Sequence, residues 1–280
     1  MKRRILVGAD GSKGIGRSEA SMESSGPKYS VQVLIDAASI LGSFGRRNHP
    51  LGVAEISSAV SIGRSKVHRL LDTLRFLGFV EQDQVTRKYR LGFRTFELAA
   101  AAASRFDLGP AARQAVQELV WSTGETVNVG VLHGYDVVYV DSVRGFGPLR
   151  LEVELGSRAP ATATALGKAM LAFESAELVD QFLAQPLVAV TRNSITDPAR
   201  LREELGRTRE TGYALDDEES FLGLRCVALP LRDYTGAPTA AIAISGPAGR
   251  LPMSRLLDLV NPLRETVERI SGSREYADIS

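Results

Sequence analysis

Three groups of residues carry side chains with which this chain could do chemistry. Arg64, Ser65, Lys66, His68 and Arg69 lie within six positions and offer the donors that phosphates and base edges accept. Arg87, Lys88 and Arg90 form a second cationic cluster. The third group is Asp216-Asp217-Glu218-Glu219, followed shortly by Cys226, the lone cysteine. Cys226 could act as a nucleophile with His133 as its base, the chemistry of a small-molecule hydrolase, yet no third residue at a recognised spacing orients the two. Adjacent carboxylates on one loop do not flank a scissile bond. A thiol-based redox response through Cys226 is a separate possibility and calls for an exposed, acidic thiol. Cys226, His49, His68 and His133 are too scattered to hold zinc, so no metal or cofactor is expected. Gly11-Ser12-Lys13-Gly14-Ile15-Gly16 is rich in glycine but lacks the phosphate-loop spacing and a βαβ unit around it.

The first group needs a helix to present it. Val67, Leu70, Leu71, Leu74 and Leu77 recur at helical spacing and predict a buried face ending at Gly78, which suits a left-handed cap. At ~100° per residue, Ser65 and Arg69 point away from that face, with His68 beside them and Arg64 and Lys66 on the flanks. Alone, the stretch would equally fit a surface helix with solvated charges. Before it, residues 30–44 predict a helix burying Val31, Val33, Leu34, Ala37, Ala38, Ile40 and Leu41, and residues 53–60 a short second helix burying Ile56 and Val60. After it, residues 79–81 and 89–92 predict a β-hairpin whose tip carries the second cationic group. Helix, turn, basic helix and basic hairpin is the order of a winged helix-turn-helix. Arg87, Lys88 and Arg90 would then reach the DNA backbone, adding affinity that weakens with salt.

Residues 1–28 begin with a basic run, but the apolar segment Ile5-Leu6-Val7 stops at Gly8, too short for a signal peptide or a membrane span. The rest of the segment reads as a disordered arm, with Met22 an alternative first residue. Within 280 residues carrying a net charge of +1, residues 1–29 hold +3 and residues 30–92 hold +4, leaving −6 on residues 93–280. A basic front and an acidic back imply that only the front meets a polyanion. Composition and the single cysteine fit a cytoplasmic globular protein of about two domains. Residues 93–124 read as linker helices, with Ala99 to Ala103 either core or a subunit contact. Residues 125–272 read as an α+β domain: a hairpin at 127–141, strands at 149–155, 213–215, 226–231 and 239–245, helices at 166–173, 176–184 and 198–211, and a last helix at 254–270. Residues 273–280 form a tail.

The run Gly63-Arg64-Ser65-Lys66-Val67-His68-Arg69-Leu70-Leu71, with Gly78-Phe79-Val80-Glu81 and Tyr89-Arg90-Leu91-Gly92, resembles the DNA-binding domain of IclR-type bacterial transcription regulators. That pattern usually has Pro at the place of Gly63 and Ser or Thr at the place of Lys66, so operator preference does not carry over. Gly156-Ser157-Arg158-Ala159-Pro160, Gly167-Lys168-Ala169, Arg209-Glu210-Thr211-Gly212-Tyr213 and Ile244-Ser245-Gly246-Pro247 resemble the effector-binding domain of the same family. The segment from Asp216 to Cys226 is similar to the branch that senses small 2-oxo acids.

The resemblance implies a homodimer or tetramer on a palindromic operator of double-stranded DNA, with affinity tuned by a small carboxylate and with no membrane partner. It implies effector contacts from Asp216, Cys226 and Ser245, with Leu224 and Leu166 as apolar walls. The loop Ala161–Leu166, through Ala165 and Leu166, can aim backbone N–H groups at an anion. Ala165 and Leu166 replace smaller residues, and Ala243 stands where a second serine can occur. Read without the resemblance, Cys226 would also fit as a small buried hydrophobe, and Asp216 as one of four solvated acids.

Overall fold

The computed structural model describes residues 4–7, 29–45, 49–103, 109–147, 150–233 and 235–271. The expected C-terminal tail, the glycine-rich segment and most of the expected arm lie outside them. Arg4–Val7 is an exception to the arm: it forms strand β1, paired in parallel with a later strand, β6 (Arg150–Val153), because an apolar run flanked by charge can close a ladder once a partner edge is available. The chain separates into two compact units, one of residues 16–106 and one of residues 1–15 with 107–280.

The smaller unit holds helices α1 (Gln32–Gly45), α2 (Val53–Val60) and α3 (Arg64–Phe76), the hairpin β2 (Val80–Gln82) and β3 (Tyr89–Leu91), and helix α4 (Phe93–Ala103). Its core joins Ile40, Phe44, Leu51, Ile56, Val67, Leu71, Leu74, Val80 and Tyr89. The face predicted for the first helix is met in part: Ile40 is buried and Leu41 packs against the core, but Val31, Val33 and Leu34 are exposed, while Asp36, Ser43 and Phe44 are buried. α1 meets the core through Ile40 and Phe44 and reaches α3 through Asp36, which pairs with Lys66, so Val33 and Leu34 lie on its outer side. α3 is entered through Gly63 and buries Val67, Leu71 and Leu74, with Leu77 left exposed beyond the helix end. Gly78 follows at φ +79°, and the Phe79 N–H returns to the Leu74 carbonyl at 2.9 Å, so the left-handed cap turns the chain into the hairpin. Leu51 adds a two-bond bridge to Tyr89, which ties the hairpin to the segment before α2.

The larger unit is built on a six-stranded antiparallel sheet in the order β7-β5-β4-β10-β9-β8. Its strands are β4 (Thr126–His133), β5 (Asp136–Val143), β7 (Arg158–Pro160), β8 (Ala214–Asp217), β9 (Leu224–Arg232) and β10 (Pro238–Pro247). Helices cover both faces. On one face Val127, Val129, Val227, Leu229, Ile242 and Ile244 meet α5 (Gly109–Thr123), α9 (Met253–Asp258) and α10 (Val260–Ser271). On the other, the alternate residues Cys226, Ala228, Ala241 and Ala243 meet α6 (Ala165–Leu171), α7 (Ala176–Leu183) and α8 (Pro198–Thr211). Period-two alternation therefore sorts bulky β-branched side chains to one face and small ones to the other. The predicted last helix is broken at Leu259: Pro262 has no N–H to return to Asp258, so the helix restarts as α10. The two helices predicted as a linker fall one in each unit, α4 in the smaller and α5 in the larger.

Candidate functional site

In the smaller unit Arg64, Ser65, Lys66, His68 and Arg69 all stand exposed along the first half of α3, with Val67 and Leu71 buried behind them. The amphipathic split predicted from spacing is therefore present. What spacing did not reveal is which cations are already engaged. Lys66 closes an ion pair with Asp36 of α1, whose side chain is 8% exposed. Lys88 lies 3.5 Å from Glu55, and Arg90 binds Glu81 through Nε at 3.1 Å and Nη2 at 2.9 Å. Arg64, Arg69 and Arg87 make no ion pair among the described residues. Arg87 sits at the hairpin tip with φ +57°, held by its N–H on the Asp83 carbonyl and by Gln82 Nε2 on its own carbonyl, both at 2.9 Å. Asp83 organises the tip by accepting from the N–H groups of Val85 and Thr86 and from the Thr86 hydroxyl.

In the larger unit the strand register places Asp216 opposite Cys226, and Cys226 opposite Ser245. Directly opposed residues of antiparallel strands share a face, so these three form one row. The next row is Ala214, Ala228 and Ala243, with Asn128 opposite Ala243. Asn128 Nδ2 donates to Ser245 Oγ at 3.2 Å and its Oδ1 accepts from Ser142 Oγ at 2.7 Å, so the polar strip runs across five strands, from β8 to β5. Leu166 leans onto this face above Gly130, where a Cβ would stand 3.1 Å from its Cδ1. Ala165, Leu166, Leu224, Cys226 and Ala243 are all buried in one cluster. The seven residues thus meet on one face of the sheet beneath α6.

One expectation changes. Asp216 is not a solvated acid: it is 1% exposed, and it accepts from the Glu219 and Ser220 N–H groups at 2.7 and 3.2 Å and from the Ser220 hydroxyl. Burial pushes its carboxyl above the usual range, against the pull of Ser220 and Lys168. In the loop before α6, Thr164 caps the helix by accepting from the Gly167 N–H at 3.1 Å. Two residues escaped sequence reasoning. Lys168 of α6 is fully buried and pairs with Glu219 at 2.6 Å, with Glu204 at 3.7 Å. Glu219 Oε2 is buried with no hydrogen-bond partner. The available signal was a lysine inside an otherwise apolar run from Ala165 to Ala172.

Cys226 is 7% exposed, and burial, then Asp216, pushes its thiol well above the ordinary range. It is protonated at neutral pH, the opposite of a reactive thiolate. His133 is exposed at the far end of β4, seven residues from Thr126, which pairs with Ser245. At about 3.3 Å per residue that is roughly 23 Å, far beyond a nucleophile–base hydrogen bond.

Two family patterns match the chain: the IclR helix-turn-helix domain over residues 35–84 and the bacterial transcriptional regulator IclR C-terminal domain over residues 100–272. This chain belongs to the IclR family. It is a DNA-binding transcriptional regulator, and the IclR family's members are regulators rather than enzymes. The HTH-type transcriptional regulator KdgR of Escherichia coli is 34% identical over 250 residues, covering 89% of this chain and 95% of that protein. The crystal structure of the Thermotoga maritima IclR superposes with a TM-score of 0.71 at 30% identity, covering 88% of this chain and 99% of that one. An IclR homolog from Microbacterium hydrocarbonoxydans, crystallised in complex with 4-hydroxybenzoate, shares the fold with a TM-score of 0.78 at 22% identity over 88% of this chain and 99% of that one. No helix among the described residues is long and apolar enough to cross a membrane.

Proposed function

We propose that this IclR-family regulator binds a palindromic operator as a homodimer or tetramer in the cytoplasm, and that a small carboxylate, of the 2-oxo acid class, tunes its operator affinity. Residues 29–92 would read DNA, residues 125–272 would hold the effector, and residues 93–124 would couple them. The reading rests on one observation above the others: α3 carries an exposed cationic half on a buried apolar stripe, and a hairpin with its own exposed arginine follows it. Ser65 and Arg69 would meet base edges, helped by His68, while Arg64 and Arg87 would hold phosphates. Lys88 and Arg90 reach the backbone by leaving exposed partners that water can replace.

The row Asp216, Cys226 and Ser245 supports the effector site, because it sets polar tips among small apolar neighbours under α6. Leu224, Ala243, Ala165 and Leu166 would wall it. The 4-hydroxybenzoate bound by the Microbacterium hydrocarbonoxydans homolog is a carboxylate but not a 2-oxo acid, so it supports the small-carboxylate class alone. A redox response loses its support with the burial of Cys226, and hydrolysis with the distance to His133.

The test is Arg69→Ala on a duplex selected by the wild-type protein from a random library. Binding should weaken by ~1–3 kcal/mol with the fold and oligomer intact. Retained specific binding in a gel shift would remove Arg69 from the reading set.

A further inference from the structure

We infer that Lys66 is a positioning residue, which locks the front turn of α3 to α1 through Asp36 and makes no contact with DNA. Each of the other ion pairs described in the smaller unit, Arg75–Asp72, Lys88–Glu55, Arg90–Glu81 and Arg94–Glu97, has at least 40% of both side chains exposed. Lys66–Asp36 differs, with 51% of the lysine side chain exposed but only 8% of the aspartate. Asp36 is the one charged residue buried in this unit among the described residues. Its Oδ1 accepts from Gln32 Nε2 at 2.9 Å, and Lys66 supplies the countercharge at Oδ2.

That asymmetry decides what DNA can recruit. An exposed pair opens at little cost, because water replaces the partner on both sides. A buried carboxylate stripped of its cation has no such replacement. Lys88 and Arg90 can therefore swing from Glu55 and Glu81 to a phosphate, whereas Lys66 could do so only by stranding Asp36. Lys66 and the adjacent Gln32 hold the Asp36 carboxyl below the usual range, so it is ionised at neutral pH and needs that cation. Lys66 lies in the first turn of α3, between Ser65 and His68. Fixing it to α1 fixes the angle at which those side chains leave the protein surface.

Asp36→Asn separates the two roles because it leaves the Lys66 charge in place. The probes are a duplex selected by the wild-type protein from a random library and a random-sequence duplex of equal length, each titrated across a range of salt. A positioning role predicts about tenfold weaker binding to the selected duplex. Binding to the random duplex and the salt slope on both should be unchanged, and Asp36→Glu should restore most of the loss. If Lys66 is instead a DNA contact held back by Asp36, Asp36→Asn tightens binding to both duplexes and steepens the salt slope by about 0.9, which overturns the inference. Should Asp36→Asn lose its circular dichroism signature, Lys66→Thr decides: an unchanged salt slope supports positioning, and a slope shallower by about 0.9 refutes it. The inference rests on α3 being the reading helix. If Arg69→Ala also leaves selected binding intact, that reading fails; if Arg69→Ala weakens binding and Asp36→Asn does not, only the inference fails.

Discussion

At the scale of single residues, neighbours decide what a side chain can do more than its type does. Lys168 and Glu219 show this most sharply. A lysine with no exposed surface is tolerated because Glu219 faces it at 2.6 Å, with Glu204 at 3.7 Å. Lys168→Ala should therefore cost ~3–5 kcal/mol in urea unfolding of the larger unit, because Glu219 is left as an unpaired buried charge. Lys168→Met combined with Glu219→Gln removes both charges and should recover most of that loss; a double variant as unstable as the single one would show that the pair is not what stabilises the site. Such pairings are not legible in a sequence. Lys168 and Glu219 are 51 positions apart, and Asp36 and Lys66 are 30 apart on different helices. The exposure of Ser65, His68 and Arg69, by contrast, follows from helical spacing alone, and the predicted and observed faces of α3 agree from Val67 to Leu74.

At the scale of elements, local chemistry fixed most boundaries and tertiary packing set the exceptions. Asp197-Pro198 starts α8 where a capping acid and a first-turn proline should, with Asp197 accepting from the Ala199 and Arg200 N–H groups at 2.7 and 3.2 Å. The inward face of α1 was legible only in part: Ile40 is buried as its spacing predicts, but Val33 and Leu34 are exposed while Asp36 is buried with Lys66 as its partner. The entrance to α3 offers a direct check of local reasoning. Gly63 has φ −58°, the value a proline ring imposes, and nothing lies within 4 Å of where its Cβ would stand. Gly63→Pro should raise stability by about 0.4–1 kcal/mol, by restricting the unfolded chain. A lower denaturation midpoint in guanidinium would mean that the turn between α2 and α3 needs the freedom of glycine.

At the scale of the molecule, the charge asymmetry and the order of elements made two units legible, while self-association leaves no such signature in a sequence. α4 buries none of its residues, and Phe93 and Phe96 stand 66% and 65% exposed with ring centroids 5.6 Å apart. A core role for Ala99 to Ala103 is thereby excluded, and we propose a subunit contact. Phe96→Glu should shift the protein toward monomer in light scattering after size exclusion; an unchanged mass would place the contact elsewhere. Regulation requires that the effector bind the DNA-competent and DNA-incompetent arrangements unequally, by typically ~1–3 kcal/mol. The measurement that bears most directly on this is operator binding by fluorescence anisotropy, with and without a small carboxylate that stabilises the wild-type protein, compared between wild type and Cys226→Leu. Wild type should shift its Kd about 5- to 150-fold on adding the acid, and Cys226→Leu should bind the duplex as well as unliganded wild type does but show no shift. An equal shift in both proteins would contradict the account.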